Sequence, residues 1–316
     1  MTISPNNSKR DLLGIAAMSG VQLENLLDLA EKIVARSSRY HGELDGKTIV
    51  NLFYEPSTRT RASFTMAAKH LGAKVLDLTP KISSERKGET VLDTFLTLQA
   101  MKTDLFVLRH PAAGMPHQLA AKVNCPIVNA GDGNHEHPSQ TLLDLLTIRL
   151  HLGSLSQLRI AVVGDLLHSR VARSFIFALQ KLDFNSLTLI GPKTLLPDSL
   201  QDHRIHITND MDEGIRDANV IIMLRLQFER MGSVYLPPGR EFYSLYGLSR
   251  KRLGLADPQV LVMHPGPFNR GLEISSRVAD SSRSLIFKQV EYGVYARMAI
   301  FLSLLDEQSR AEVWND

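Results

Sequence analysis

Apolar positions along the chain fall into two rhythms that take turns from one end to the other. Leu23, Leu26, Leu27, Ala30, Ile33 and Val34 recur at three- and four-residue spacing, which predicts a helix over 21–40 with Ser19 as a cap. Compact apolar runs follow at 48–54, 74–78, 104–110 and 126–130, each closed by turn residues and each predicting a strand. Helical patterns over 61–71, 90–101 and 116–123 separate them, and Gly72 stands where a helix C-terminus favours a left-handed residue. A second series of strands is predicted at 158–164, 186–191, 205–208, 219–224 and 259–264. Such alternation predicts α/β architecture, with mostly parallel sheets flanked by helices. So many strands divide more comfortably between two sheets of about four or five than within one. The helical pattern at 139–152 lies between the two series and reads as a connector, and the one at 285–305 can return to the first. The expected division is one domain over 1–138, completed by 285–316, and a second over 139–284.

Composition narrows the classes without choosing among them. A chain of 316 residues with 44% hydrophobic and 22% charged positions has the balance of a globular protein with buried cores. A net charge of +3 is too weak to predict a nucleic-acid or membrane partner. The single cysteine, Cys125, excludes an internal disulfide or a multi-cysteine metal site and fits a reducing, cytoplasmic setting. The most apolar run, 220–224, is far shorter than a membrane helix needs, and the first ten residues are polar with no signal-peptide core.

The chemistry concentrates in FYEPSTRTRASF, residues 53–64, where a strand pattern gives way to a helix near 57–61. Ser57, Thr58 and Thr60 bring hydroxyls and backbone N–H groups to a helix start, where the dipole favours an anion. Arg59 and Arg61 add guanidinium forks that suit phosphate oxygens. Cations in a first helical turn oppose the dipole by roughly 0.3–1 kcal/mol each, a conflict that a bound anion removes. The segment lacks the glycines and Gly-Lys-Ser/Thr ending of a Walker loop. Arg109 closes the strand DLFVLRH, and Arg225 follows NVIIML, so both sit at strand ends, where open parallel sheets bind ligands. Arg170 follows a strand in VVGDLLHSRVARS, a stretch without the G-x-G-x-x-G dinucleotide pattern. His135, Glu136 and His137 in GDGNHEHPSQ make only a weak metal signal, because no third firm ligand is evident.

The segment FYEPSTRTRASF resembles the carbamoyl-phosphate signature of the aspartate/ornithine carbamoyltransferase family. Further landmarks stand in family order at Lys87-Gly88-Glu89-Thr90, Arg109-His110-Pro111, His137-Pro138-Ser139-Gln140, Arg225-Leu226-Gln227 and His264-Pro265-Gly266-Pro267. The resemblance runs from about residue 12 to about residue 305. The His-Pro-Gly-Pro form and the Arg-Leu-Gln-Phe-Glu-Arg stretch resemble the aspartate branch; the ornithine branch typically has a cysteine where this chain has Pro265. The resemblance implies transfer of the carbamoyl group of carbamoyl phosphate to the α-amino group of L-aspartate, in pyrimidine biosynthesis, with no metal or organic cofactor.

Residue by residue, the resemblance implies that Ser57, Thr58, Arg59, Thr60, Arg109, His137, Gln140, Gly266 and Pro267 bind carbamoyl phosphate, with Arg59, Thr60, Arg109 and His137 catalytic. It implies that Lys87, Arg170, Arg225 and Gln227 hold aspartate, that the bond before Pro267 is cis, and that Lys87 reaches a neighbouring subunit's site in a homotrimer. The domain over 1–138 would bind carbamoyl phosphate and that over 139–284 aspartate, with closure on the second substrate. Regulatory or dihydroorotase chains remain open as partners. So many cations without an anionic ligand should repel one another. A carbamoyltransferase for ornithine or another amine is the nearest alternative, disfavoured because a cationic acceptor would not want Arg170 and Arg225 together. A nucleotide-binding oxidoreductase and a non-catalytic scaffold are the alternatives from other classes.

Overall fold

The structure, a computed structural model, describes residues 10–79, 90–226 and 239–314. The chain divides into two compact units, 1–146 with 290–316 and 147–289. The breaks fall inside the helices Pro138–Leu152 and Ile286–Leu305, several residues beyond the expected 138/139 and 284/285. The first turns of Pro138–Leu152 carry buried side chains of the first unit, so that helix changes allegiance midway instead of starting the second unit.

In the first unit β1 (Thr48–Phe53), β2 (Lys74–Leu78), β3 (Leu105–His110) and β4 (Ile127–Asp132) form one parallel sheet in the order β2-β1-β3-β4. β3 and β4 are nearly fully buried, as a strand covered on both faces requires. β2 at the edge is largely exposed. Helices α1 (Gly20–Ala35), α2 (Thr58–His70), α3 (Val91–Ala100), α4 (Met115–Ala120) and the first part of α5 (Pro138–Leu152) belong here. α1 starts at a reciprocal cap, Ser19 accepting from the Gln22 N–H while the Gln22 side chain accepts from the Ser19 N–H. It ends at Ala35 and not at 40, because Arg36 leaves helical angles and Ser37–Tyr40 closes as a 3-10 turn. Gly72, just past α2, has φ +81°, and a Cβ there would strike Asp45 and Gly42.

In the second unit β5 (Arg159–Val163), β6 (Ser186–Ile190), β7 (Ile205–Thr208), β8 (Val220–Met223) and β9 (Leu261–Met263) form a parallel sheet in the order β7-β6-β5-β8-β9. Helix α6 (Arg170–Leu179) follows β5, and the short helices α7 (Met211–Gly214), α8 (Gly239–Tyr246), α9 (Arg250–Leu253) and α10 (Ser276–Ala279) fill the later crossovers. α11 (Ile286–Leu305) and α12 (Glu307–Trp314) carry the chain back into the first unit.

Both sheets have a reversal point. In the first the chain leaves β1 to one side for β2, then crosses to the other for β3; in the second, β6 and β7 lie on one side of β5 and β8 and β9 on the other. The crevices are therefore at the carboxyl ends of β1/β3 and of β5/β8, where open α/β sheets bind ligands. Among the described residues no helix is long and apolar enough to cross a membrane.

Candidate active site

At the end of β1 the chain turns through Tyr54, Glu55 and Pro56 into α2, whose cap residue is Ser57. The Ser57 hydroxyl makes no capping bond, unlike those of Ser19 and Thr90 at the starts of α1 and α3. The first intrahelical bond runs from Arg61 N–H to Ser57 O at 3.2 Å, so the N–H groups before it have no acceptor within the helix. Phe53, Tyr54, Glu55, Pro56, Ser57, Thr58, Arg61 and Thr79 line a hollow of about 200 Å³ at this point. Thr58 and Arg59 are exposed, and Thr60 is half-buried. The Arg61 guanidinium donates to the Thr79 hydroxyl at 3.0 Å.

Arg109 stands beside Phe53 in the β1–β3 register, one residue from the end of its strand. Its guanidinium lies 3.3 Å from the Glu55 carboxylate and also donates to Ala130 O at 3.4 Å. This corrects the expectation of a purely repulsive cation cluster: Glu55, which the sequence reading passed over, balances Arg109.

β4 ends beside β3, with His110 opposite Asp132, and the loop that follows carries His137 into α5. Asp132 is fully buried and organises that loop, accepting from Asn129 Nδ2 at 2.8 Å, Gly114 N–H at 2.7 Å, Glu136 N–H at 3.1 Å and the His135 ring at 3.0 Å. Glu136 turns inward, where its carboxylate accepts from Ile15 N–H at 2.7 Å and Ala16 N–H at 3.3 Å. His137 is buried with Nδ1 3.5 Å from the Ser139 hydroxyl, and the Gln140 amide donates to Asp144 at 2.9 Å.

Arg297 in α11 is a second residue that sequence reasoning missed. It is buried, donates to Gly293 O at 2.8 Å and to Ser139 Oγ at 3.4 Å, and covers the Phe64 ring at 4.8 Å. Burial pulls its guanidinium down from the ordinary value to about 9, with Asp144 opposing and Arg59 adding to the shift, so it remains cationic at neutral pH. It thus ties α2, which begins after Ser57, to α5, which begins after His137. An arginine inside the apolar pattern YARMAIF was the available signal.

In the second unit Arg170 is the first residue of α6 and is buried, directly after the cap Ser169, while Arg225 is half-buried just past β8. Both therefore lie at the β5/β8 reversal point. Gly164 at the end of β5 has φ +131°, and a Cβ there would come within 3.1 Å of Leu224, so a side chain would crowd the end of β8. The buried Glu273 accepts from Leu226 N–H at 3.3 Å and from Asn269 N–H at 2.7 Å, pinning the segment after Arg225 to the loop after β9. In that loop the Gly266–Pro267 bond is cis, and Gly266 N–H donates to His264 Nδ1 at 2.7 Å. The first unit brings Ser57–Thr60, Arg109, His137 and Gln140 to one sheet edge, whereas Gly266, Pro267, Arg170 and Arg225 belong to the second. Lys87 and Gln227 lie outside the described residues.

Comparison with known proteins follows the same division. Residues 10–150 match the domain family "Aspartate/ornithine carbamoyltransferase, carbamoyl-P binding domain", and residues 156–304 match "Aspartate/ornithine carbamoyltransferase, Asp/Orn binding domain". The chain is 49% identical over 308 residues to the aspartate carbamoyltransferase catalytic subunit of Brucella ovis, covering 96% of this chain and 95% of that one. It is 51% identical over 305 residues to the corresponding subunit of Gluconacetobacter diazotrophicus, covering 96% and 94%. Among solved structures, aspartate transcarbamoylase from Trypanosoma cruzi in complex with carbamoyl aspartate and phosphate superposes with a TM-score of 0.85 at 32% identity, over 94% of this chain and 96% of that one. Ornithine carbamoyltransferase from Pyrococcus furiosus gives a TM-score of 0.83 at 26% identity, over 95% and 98%.

Proposed function

The chain belongs to the aspartate/ornithine carbamoyltransferase family, and from that premise we propose how its own residues carry a carbamoyl transfer to aspartate. It transfers the carbamoyl group of carbamoyl phosphate to the α-amino group of L-aspartate, giving N-carbamoyl-L-aspartate and phosphate for pyrimidine synthesis. The amine nitrogen attacks the carbamoyl carbon, a tetrahedral intermediate forms, the C–O bond to phosphate breaks, and the departing phosphate takes the amine proton. Orientation and charge stabilisation suffice for such a step.

The observation that carries the site assignment is the start of α2. A cap hydroxyl withheld from its own helix, first-turn N–H groups with no acceptor inside the helix and two arginines without an acid in the first turn make a cradle suited to the leaving phosphate. Ser57, Thr58, Arg59 and Thr60 hold that phosphate. Arg109, His137 and the Thr60 hydroxyl face the developing oxyanion, and Gln140 with the backbone at Gly266 and Pro267 takes the carbamoyl NH2. Arg170, Arg225, Gln227 and Lys87 grip the carboxylates of aspartate. The first unit binds carbamoyl phosphate and the second aspartate. The chain works as a cytoplasmic homotrimer with Lys87 contributed by a neighbour; the exposed Met66 and Leu76, on α2 and the edge strand β2, support a contact between copies.

A colorimetric assay for carbamoyl amino acids, run with aspartate and with ornithine, tests the acceptor. Product from aspartate alone is expected; product from ornithine in preference would overturn the reading.

A further inference from the structure

We propose that His117, Asp132 and His135 form a binding site for a divalent first-row transition ion of the Zn2+, Co2+ or Ni2+ kind. The three residues come from α4, the end of β4 and the loop beyond it, and each offers one ligand atom within 4.8 Å of the others. The sequence pattern instead groups His135 with Glu136 and His137. The structure undoes that grouping, because Glu136 is committed to the N–H groups of Ile15 and Ala16 and His137 is buried.

Geometry and ligand chemistry both point to such an ion. With metal–ligand bonds of about 2.1 Å, neighbouring ligands around one ion stand roughly 3.0–3.4 Å apart. His135 Nδ1 and Asp132 Oδ2 are already 3.0 Å apart. The His117 ring lies 5.6 Å from the His135 ring at 66°, and because His117 is exposed its ring has room to rotate inward by the roughly 1–2 Å that separates ligand atoms up to 4.8 Å apart from the spacing around a shared ion. Two imidazoles and one carboxylate suit borderline ions, whereas Mg2+ and Ca2+ prefer all-oxygen sets.

The support around the ligands is in place before any ion arrives. Asp132 Oδ1 accepts from Asn129 and from Glu136 N–H, and Oδ2 accepts from Gly114 N–H, so the carboxylate cannot swing away. Gly114 is also the cap residue of α4, three positions before His117. Asp132 therefore fixes both its own oxygen and the helix start that presents the first histidine, the kind of outer contact that sets metal affinity.

The test uses the full chain in metal-free buffer, titrated with ZnCl2 by calorimetry and with CoCl2 by visible absorption. One ion per chain is expected at micromolar concentration, with little response to MgCl2. His117→Gln and His135→Gln should each weaken binding by about tenfold or more. His70→Gln should not, although His70 stacks with His41 at 5.7 Å and is the competing histidine pair. Should His135→Gln fail to fold by circular dichroism, the exposed His117→Gln decides alone. Absence of binding at millimolar Zn2+, or equal binding by native chain and His117→Gln, would overturn the proposal and leave an ordinary half-buried histidine–aspartate hydrogen bond.

Discussion

Arg109 and Glu55 face each other 3.3 Å apart with side chains only 14% and 19% exposed, which makes them a largely desolvated pair at the mouth of an anion cradle. If phosphate binds here as proposed, it must take over part of what Glu55 supplies, so affinity at this edge would be a difference between two anions and not the plain sum of the cations. Arg59 has a different setting. It is exposed in the first turn of α2, so its removal should leave the fold intact and cost the reaction a donor. Arg59→Ala should lower turnover by on the order of 10²-fold with little change in urea midpoint; near-normal kinetics with carbamoyl phosphate would end the phosphate-cradle assignment. Arg297 should behave in the opposite way. Its guanidinium is buried and bonded to Gly293 O and Ser139 Oγ, and Arg297→Met is expected to destabilise the chain by roughly 2–4 kcal/mol in urea unfolding. In the second unit, Arg225→Ala should raise the aspartate requirement, a loss of roughly 1.5–3 kcal/mol for one charge-assisted bond, and leave carbamoyl-phosphate binding unchanged. Equilibrium binding of carbamoyl phosphate to that variant separates the two units' roles, because a matching loss would mean that they are not divided in this way.

At the level of elements, the helix starts show where sequence reading succeeds and where it stops. Ser19 at α1 is a structural cap, and Ser19→Ala should cost about 1 kcal/mol of stability. Ser57 at α2 holds the same position with an unused hydroxyl, and nothing in the residue type alone separates the two. What separates them in the sequence is the neighbourhood, since Arg59 and Arg61 are poor choices for a first turn unless an anion arrives. The nine strands of the described residues were legible as compact apolar runs; the inner ones, covered on both faces, need apolar side chains nearly throughout, while the exposed edge strand β2 still mixes Val75 and Leu76 with polar neighbours. The end of α1 and the division point within α5 were not legible, because they depend on Arg36 leaving helical angles and on which unit a buried turn packs into. Glu55, Asp132 and Glu273 were missed for a related reason: their partners are backbone N–H groups or side chains brought close only by the fold. A shorter-range pair can be tested by pH. Before β7 the Arg204 guanidinium donates to Asp202 and holds its carboxyl down at about 2, below the ordinary 3.8. The folded value lies below the unfolded one, so the stabilisation is present above about pH 4 and lost as pH falls through about 2. Asp202→Asn should therefore be less stable than the native chain at neutral pH, by at most about 1 kcal/mol given solvent screening. The Arg204–Phe184 contact at 3.9 Å does not involve Asp202 and is expected to persist in the variant. Denaturant midpoints that converge toward pH 2 support the pair, and a constant offset would count against it.

For the whole molecule, the two crevices assign most of the proposed ligand contacts to sheet edges of a single chain, but Lys87 stands apart. It belongs to a long polar segment, 79–88, whose composition offers no apolar reason to pack on its own sheet. Met66 on α2 and Leu76 on the edge strand β2 are exposed apolar positions of the first unit that a contact with a second copy would bury. If the assembly is a cyclic trimer in which each site takes Arg59 from one chain and Lys87 from the next, symmetry sets the outcome of mixing defective chains. Arg59→Ala and Lys87→Ala chains should each be nearly inactive alone. Any trimer containing both kinds has one place around the ring where an intact Arg59 meets an intact Lys87, and so one working site. Random one-to-one assembly leaves about three quarters of the trimers mixed, hence about a quarter of all sites intact. The measurement is activity after dissociation, mixing and reassembly, with mixed trimers verified by mass. Recovery near a quarter of the native rate is expected for shared sites. No recovery in demonstrably mixed trimers would mean that Lys87 acts within its own chain or at no site, and a mass that corresponds to no trimer would remove the ring itself.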